Sequence, residues 1–185
     1  MPLETGTYRL FGRRATLAYL NTIAPAAARL VGEHFGRRPL ATTQILLTTP
    51  TGLGQLFRST QAGLAGVSEN TADPAMRLMR AEPRQLYSTT TPRPGKAGGT
   101  LTLINARRNR HARDLEESLL YELVAVDQLG RPKARERWIT VVRDLCGVAP
   151  QPPHVRKALE KDFAAADKEA ARVVEALAPR LRDAA

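Results

Sequence analysis

The chain reads as an α+β protein folded as one domain. Short β-rich segments at 44–50, 86–92 and 98–105 are separated by longer stretches in which apolar residues recur every three or four positions. The 185 residues, 43% of them hydrophobic, are enough for one core and too few for two large ones. The expected layout is three short strands and about six helices: a helix and strand over 13–49, a hairpin and following helix over 86–130, and C-terminal helices over 131–183.

Between Arg13 and His34 the residues Leu17, Leu20, Ile23, Ala27, Leu30 and Val31 share one helical face, with Pro25 as the expected bend. "QILLTTP" at 44–50 is a buried strand closed by its proline, and "TGLGQLFRSTQAGLAG" then forms a helix with Thr51 as its cap. A shorter helix, punctuated by Pro74 and Pro83, is expected over 71–85. "LYSTTTP" and "GGTLTLIN" make a hairpin across "RPGKAGG". Asp114 suits the cap of "LEESLLYELVAVDQLG", which Gly130 closes. "RPKARERWITVVRDLCG" follows as a helix whose core stripe is Ala134, Trp138, Val141, Val142 and Leu145. Beyond the prolines of "VAPQPPH", apolar positions from Val155 to Leu181 keep helical spacing, giving a long final helix.

The formal net charge of +10 makes polyanions, acidic proteins and phosphorylated ligands plausible partners without choosing among them. Aromatic residues are only 5% of the chain and no strand is rich in Phe or Tyr, which ranks nucleic acid below a protein partner or a small anionic ligand. One cysteine, Cys146, excludes an internal disulfide and fits a reducing compartment. No run of about 20 apolar residues occurs, so a cytoplasmic protein without a membrane span is expected.

The segment "SLLYELVAVDQLGRPKARE" carries the most specific signal. It resembles the small zincin-like metallopeptidases, whose core helix reads Leu-x-His-Glu-Leu-Val-His-Ala-Val-Gln before a Gly or Pro turn. In that family two histidines four residues apart share a helix face and aim at one zinc ion, and the glutamate between them activates the bound water. By this resemblance Glu122 takes the glutamate position, while Leu123, Val124, Val126 and Gln128 match their neighbours. Tyr121 and Ala125 stand where the histidines would be. The resemblance further implies that "GGTLTLIN", with Thr102 and Ile104, is the edge strand flanking the cleft. It also implies that "DKEAARVVEAL" supplies the third ligand position, at Glu169 with Asp167 as second choice. It covers residues 98–148 and the final helix; the first half of the chain matches only in its order of elements.

Zinc chemistry is not expected from these residues. A phenol with a pKa of about 10 is a poor zinc ligand and alanine has no donor. The three histidines, His34, His111 and His154, fall in a helix, a basic loop and a proline-rich turn. No metal and no other cofactor are therefore anticipated. Glu122 lies among Leu119, Leu120, Leu123, Val124 and Val126, so its carboxylate needs a partner, and an arginine is the first expectation. The sharper alternative makes Glu122 and Tyr121 acid/base groups. The loop "ARRNRHARD" gathers Arg107, Arg108, Arg110, His111 and Arg113, forked donors suited to carboxylate or phosphate. The leading expectation is a metal-free pseudoenzyme that binds another protein as scaffold or accessory subunit. Two others stand beside it: a metal-independent enzyme or co-catalytic subunit acting on a small anionic substrate, and binding to a nucleic-acid backbone.

Overall fold

The computed structural model describes residues 3–36, 42–71, 85–95, 99–131 and 133–184. Strands β1 (Glu4–Tyr8), β2 (Thr43–Thr48), β3 (Ser88–Pro92) and β4 (Thr100–Asn105) form one mixed sheet in the order β1-β2-β4-β3. β1, β2 and β4 run parallel in register, so that Tyr8, Thr48 and Asn105 end the strands in one row. β3 returns antiparallel along the outer side of β4. Among the described residues the helices are α1 (Arg14–His34), α2 (Pro50–Ala65), α3 (Ala112–Leu129), α4 (Ala134–Leu145) and α5 (Pro153–Ala184), with a 3₁₀ turn at Glu69–Thr71.

The two-residue period of the strands divides the core. Ile45, Leu47 and Ile104 point to one face and join Leu20, Ile23, Leu119, Leu123, Val173 and Leu177 from α1, α3 and α5. Leu46, Leu101 and Leu103 point to the other and pack with Leu53 and Phe57 of α2. With both faces covered, all six residues of β4 are buried, which explains its nearly continuous apolar and threonine composition.

Several expectations are corrected. A fourth strand, β1, was hidden because "ETGTY" is short, carries a glycine and is not strongly apolar. "GGTLTLIN" is not an edge: β4 is paired on both sides, and β3 is the edge on its flank. Thr102 and Ile104 are therefore fully buried and cannot pair with an extended ligand. Helix α2 begins at Pro50, not after it, because proline lacks an N–H that the first turn leaves unpaired anyway. Its cap is Thr49 rather than Thr51, with the hydroxyl accepting from the Gly52 N–H at 3.1 Å. Helix α3 starts at Ala112, so Asp114 sits in its first turn and does not cap it. Trp138 is half-buried and packs against two core clusters, whereas Leu145 of the expected stripe is exposed. The helix expected at 71–85 falls largely on residues outside those described. Cys146 is buried. Among the described residues no helix is long and apolar enough to cross a membrane.

Candidate functional site

Helix α3 runs beside the β3 edge and against α5, and its residues between 121 and 128 face two different surroundings. Glu122 turns toward β3. Only 3% of it is exposed, and the hydroxyls of Thr90 and Ser88 donate to its carboxylate. The Thr90 hydroxyl lies 2.7 Å from that of Thr102, which extends the polar chain across the sheet. Burial pushes the Glu122 carboxyl up to about 7, a rise that the two hydroxyls oppose and the nearby Asp167 charge assists. The expected arginine partner is not there: among the described residues no cation pairs with Glu122. The reason is positional, since the arginine loop leads into the start of α3 whereas Glu122 lies mid-helix.

Tyr121, Ala125 and Gln128 look toward α5 instead. The Tyr121 hydroxyl donates to Asp167 at 3.0 Å, and burial together with that bond raises its pKa above the ordinary phenol value. Gln128 donates to Glu169 and to the Ala166 carbonyl, each at 2.9 Å. Arg131 completes the group, 3.0 Å from Glu169 and 3.4 Å from the buried Asp127. The guanidinium beside Glu169 holds its carboxyl below the usual range. Residues of these types do not suit zinc here. Tyr121 is protonated and bonded, Ala125 has no donor, and Glu169 is already neutralised by arginine. Among the described residues no group of three or more His, Cys, Asp or Glu side chains could hold a metal ion. His34 ends α1, His111 precedes α3 and His154 lies in the first turn of α5.

Two cavities flank this stretch of helix. One, of about 490 Å³, lies among α3, α4 and α5, with Leu129, Trp138, Leu159 and Phe163 as its apolar walls and Ala125 and Thr90 in its lining. Trp138 and Phe163 meet edge to face at 5.6 Å, and the Arg137–Asp162 pair at 3.1 Å stands on the rim. The second, of about 510 Å³, opens between α3, α5 and the start of β3, and contains Tyr87, Ser88, Tyr121 and Glu122 together with Asp114 and Glu117. The arginines of the 106–111 loop line neither cavity, although Arg113 pairs with Glu117 at 2.8 Å. The charged residues that line the Glu122 cavity, Asp114, Glu117 and Glu122, are all acidic.

Besides Glu122 and Asp127, helix α3 carries a third buried carboxylate, which sequence reasoning does not single out. Glu116, 3% exposed, accepts a hydrogen bond from the Tyr19 hydroxyl of α1. That bond is the main reason the Tyr19 phenol is pushed up to about 12. The sequence signal was available, since Glu116 lies one turn from both Leu119 and Leu120 on an apolar face. No protein-family model, no curated protein and no solved structure matches this chain.

Proposed function

We propose that the protein is a metal-free, zincin-like accessory subunit that binds another protein through the cavity beside α3 and does not cut peptides. One observation carries this reading. Each group at a would-be zinc position is engaged within the chain or lacks a donor, while an apolar cavity of about 490 Å³ stays open next to them. Such a cavity, walled by Trp138, Leu159 and Phe163 and rimmed by a salt bridge, suits an apolar anchor side chain from a partner. The basic loop leading into α3 and the long helix packed against it support the zincin-like part of the reading, although the sheet edge beside α3 is β3 and not β4. A reducing, cytoplasmic setting suits the lone buried cysteine.

The test is affinity capture of the tagged protein from its host at moderate and at high salt, beside Ala165→Trp, which blocks the cavity mouth from an exposed position. One protein in stoichiometric amount should survive high salt with the wild type and be lost with Ala165→Trp. Equal capture by both forms, or a solitary protein, rejects the proposal.

The raised pKa of Glu122 favours a second reading, a metal-independent acid/base enzyme in which Glu122 and Tyr121 act on a substrate in the 510 Å³ cavity. The carboxylate lining turns the expected substrate from an anion to a cation or a neutral molecule. Glu122→Gln separates the two readings: partner binding persists if the protein is a scaffold, whereas turnover would fall by roughly 10²-fold or more if Glu122 moves a proton.

A further inference from the structure

The parallel register of the sheet brings together residues that are far apart in sequence. Because β1, β2 and β4 end at Tyr8, Thr48 and Asn105 in one row, the loops that follow them leave from the same edge. The strands at that edge are tied by the Thr48 hydroxyl donating to the Tyr8 carbonyl at 2.9 Å and the Ala106 N–H donating to the Thr48 carbonyl at 2.9 Å. At a strand spacing of about 4.8 Å, the first and third loops start roughly 10 Å apart. The Tyr19–Glu116 hydrogen bond then holds α1 and α3 side by side, within two turns of where each helix begins.

Arg9, Arg13 and Arg14 sit on or just after the first loop, and Arg107, Arg108 and Arg110 on the third; all six are exposed. Among the described residues no carboxylate pairs with Arg9, Arg13, Arg14, Arg107 or Arg110. The nearest acidic groups in sequence are Glu4 on β1 for the first loop and Asp114 and Glu117 on α3 for the third, and Glu117 is taken by Arg113. The third loop is firmly seated. Buried Asn109 donates to the Tyr87 and Asn105 carbonyls at 2.8 and 2.9 Å, and the Asn105 side chain accepts from the Arg107 N–H at 3.0 Å. Two exposed aromatic rings share this edge: Phe11, 94% exposed in the first loop, and Tyr87, 47% exposed, whose carbonyl bonds Asn105 and whose ring carries the Arg108 guanidinium at 5.7 Å.

We infer that the edge formed by the C-terminal ends of β1, β2 and β4 is a binding face for single-stranded nucleic acid. Guanidiniums on loops that start roughly 10 Å apart suit a phosphate backbone, and they are more numerous than a small anion would use. Phe11 and Tyr87 add what a peptide of acidic residues or a lipid headgroup would not need, flat rings on which unpaired bases stack. The carboxyl ends of parallel strands are also where open sheets present their loops to ligands. This face is distinct from the 490 Å³ cavity and meets the 510 Å³ one only at Tyr87, and it reverses the low rank that the aromatic content alone gave to nucleic acid.

The experiment is fluorescence anisotropy with a labelled mixed-sequence single-stranded oligonucleotide of about 16 nucleotides, one site size at the upper end for such domains. Its own duplex, polyglutamate and phosphatidylserine vesicles serve as competitors. With about four phosphates contacted, raising salt from about 50 to about 200 mM should weaken single-strand binding about 50-fold. Arg13→Ala, Arg107→Ala and Arg110→Ala combined should lower affinity at least tenfold and flatten the salt slope by about 2, while the same three changes to Lys keep most of it. Phe11→Ala should cost roughly 5- to 100-fold for the single strand and little for the duplex. All four positions are exposed, and an unchanged thermal midpoint verifies that the variants fold. The inference is overturned by no binding at low salt, by an unaffected triple-alanine variant, by equal competition from polyglutamate or vesicles, or by a preference for duplex with Phe11→Ala silent.

Discussion

The polar side chains in the middle of α3 are bonded within the chain, whereas the charges around its first turn face solvent. Glu122 is held by two hydroxyls, Tyr121 by Asp167, and Gln128 and Arg131 by Glu169. Arg107 and Arg110, a few residues before the helix, have no carboxylate partner among the described residues. Burial explains the difference. A polar group removed from water without a partner costs several kcal/mol, so the mid-helix groups are matched internally, while an exposed guanidinium keeps its hydration and needs no match. Internal matching therefore ties the mid-helix groups to the fold, whereas Arg107 and Arg110 have no such tie to a described carboxylate.

The largest expected effect lies on the core side of the mid-helix region. Leu123 is fully buried against α1 and α5, so Leu123→Ala should destabilise by about 2–5 kcal/mol in urea unfolding. A loss under about 1 kcal/mol would mean that α3 is not the packed centre of the fold.

Glu122→Gln sharpens the comparison through pH. A carboxyl raised to about 7 in the fold, from an ordinary 4.5, binds its proton more tightly than it does in the unfolded chain. Its contribution is fully present below about pH 4.5 and is lost as pH rises through about 7. The gap corresponds to roughly 3 kcal/mol. Wild-type stability should decline over that window relative to Glu122→Gln, which has no such titration. Parallel pH profiles for the two proteins would show that Glu122 is not held neutral by burial.

Smaller effects follow outward. Tyr121→Phe removes one hydrogen bond at a half-buried position, and about 1 kcal/mol should be lost, with most of it absent when Asp167→Asn is already in place. Arg107→Ala, exposed and unpaired with any described carboxylate, should change stability by no more than about 0.5 kcal/mol. A larger loss at Arg107 would place the loop among the structural regions and erase the contrast.

Much of this arrangement was legible in the sequence where a period was long or a residue broke one. The helices over 14–34, 112–129 and 153–184 follow from apolar spacing, and Glu122 stood out because it interrupts an apolar face. The order of the strands is not legible, since it depends on which segments pair across the chain, and for that reason the sequence does not show that β4 is interior and β3 the edge. The partner of Glu122 was misjudged on the same ground: Ser88 and Thr90 come from a strand over thirty residues away, and nothing local announces them. The gathering of Arg9 and Arg13 near Arg107 and Arg110 also needs the parallel register, which composition does not encode.

On the proposed reading, Tyr121 and Ala125 of α3, where the zincin resemblance would place histidines, serve structure and binding without a metal. The most direct test is the zinc content and zinc affinity of wild-type protein purified without chelator, compared with the double variant Tyr121→His with Ala125→His. The account predicts substoichiometric zinc and no thermal shift on adding zinc to the wild type, and a chelator-reversible shift of several degrees in the double variant, weakened by adding Glu169→Gln. One tightly held zinc per wild-type chain would contradict it.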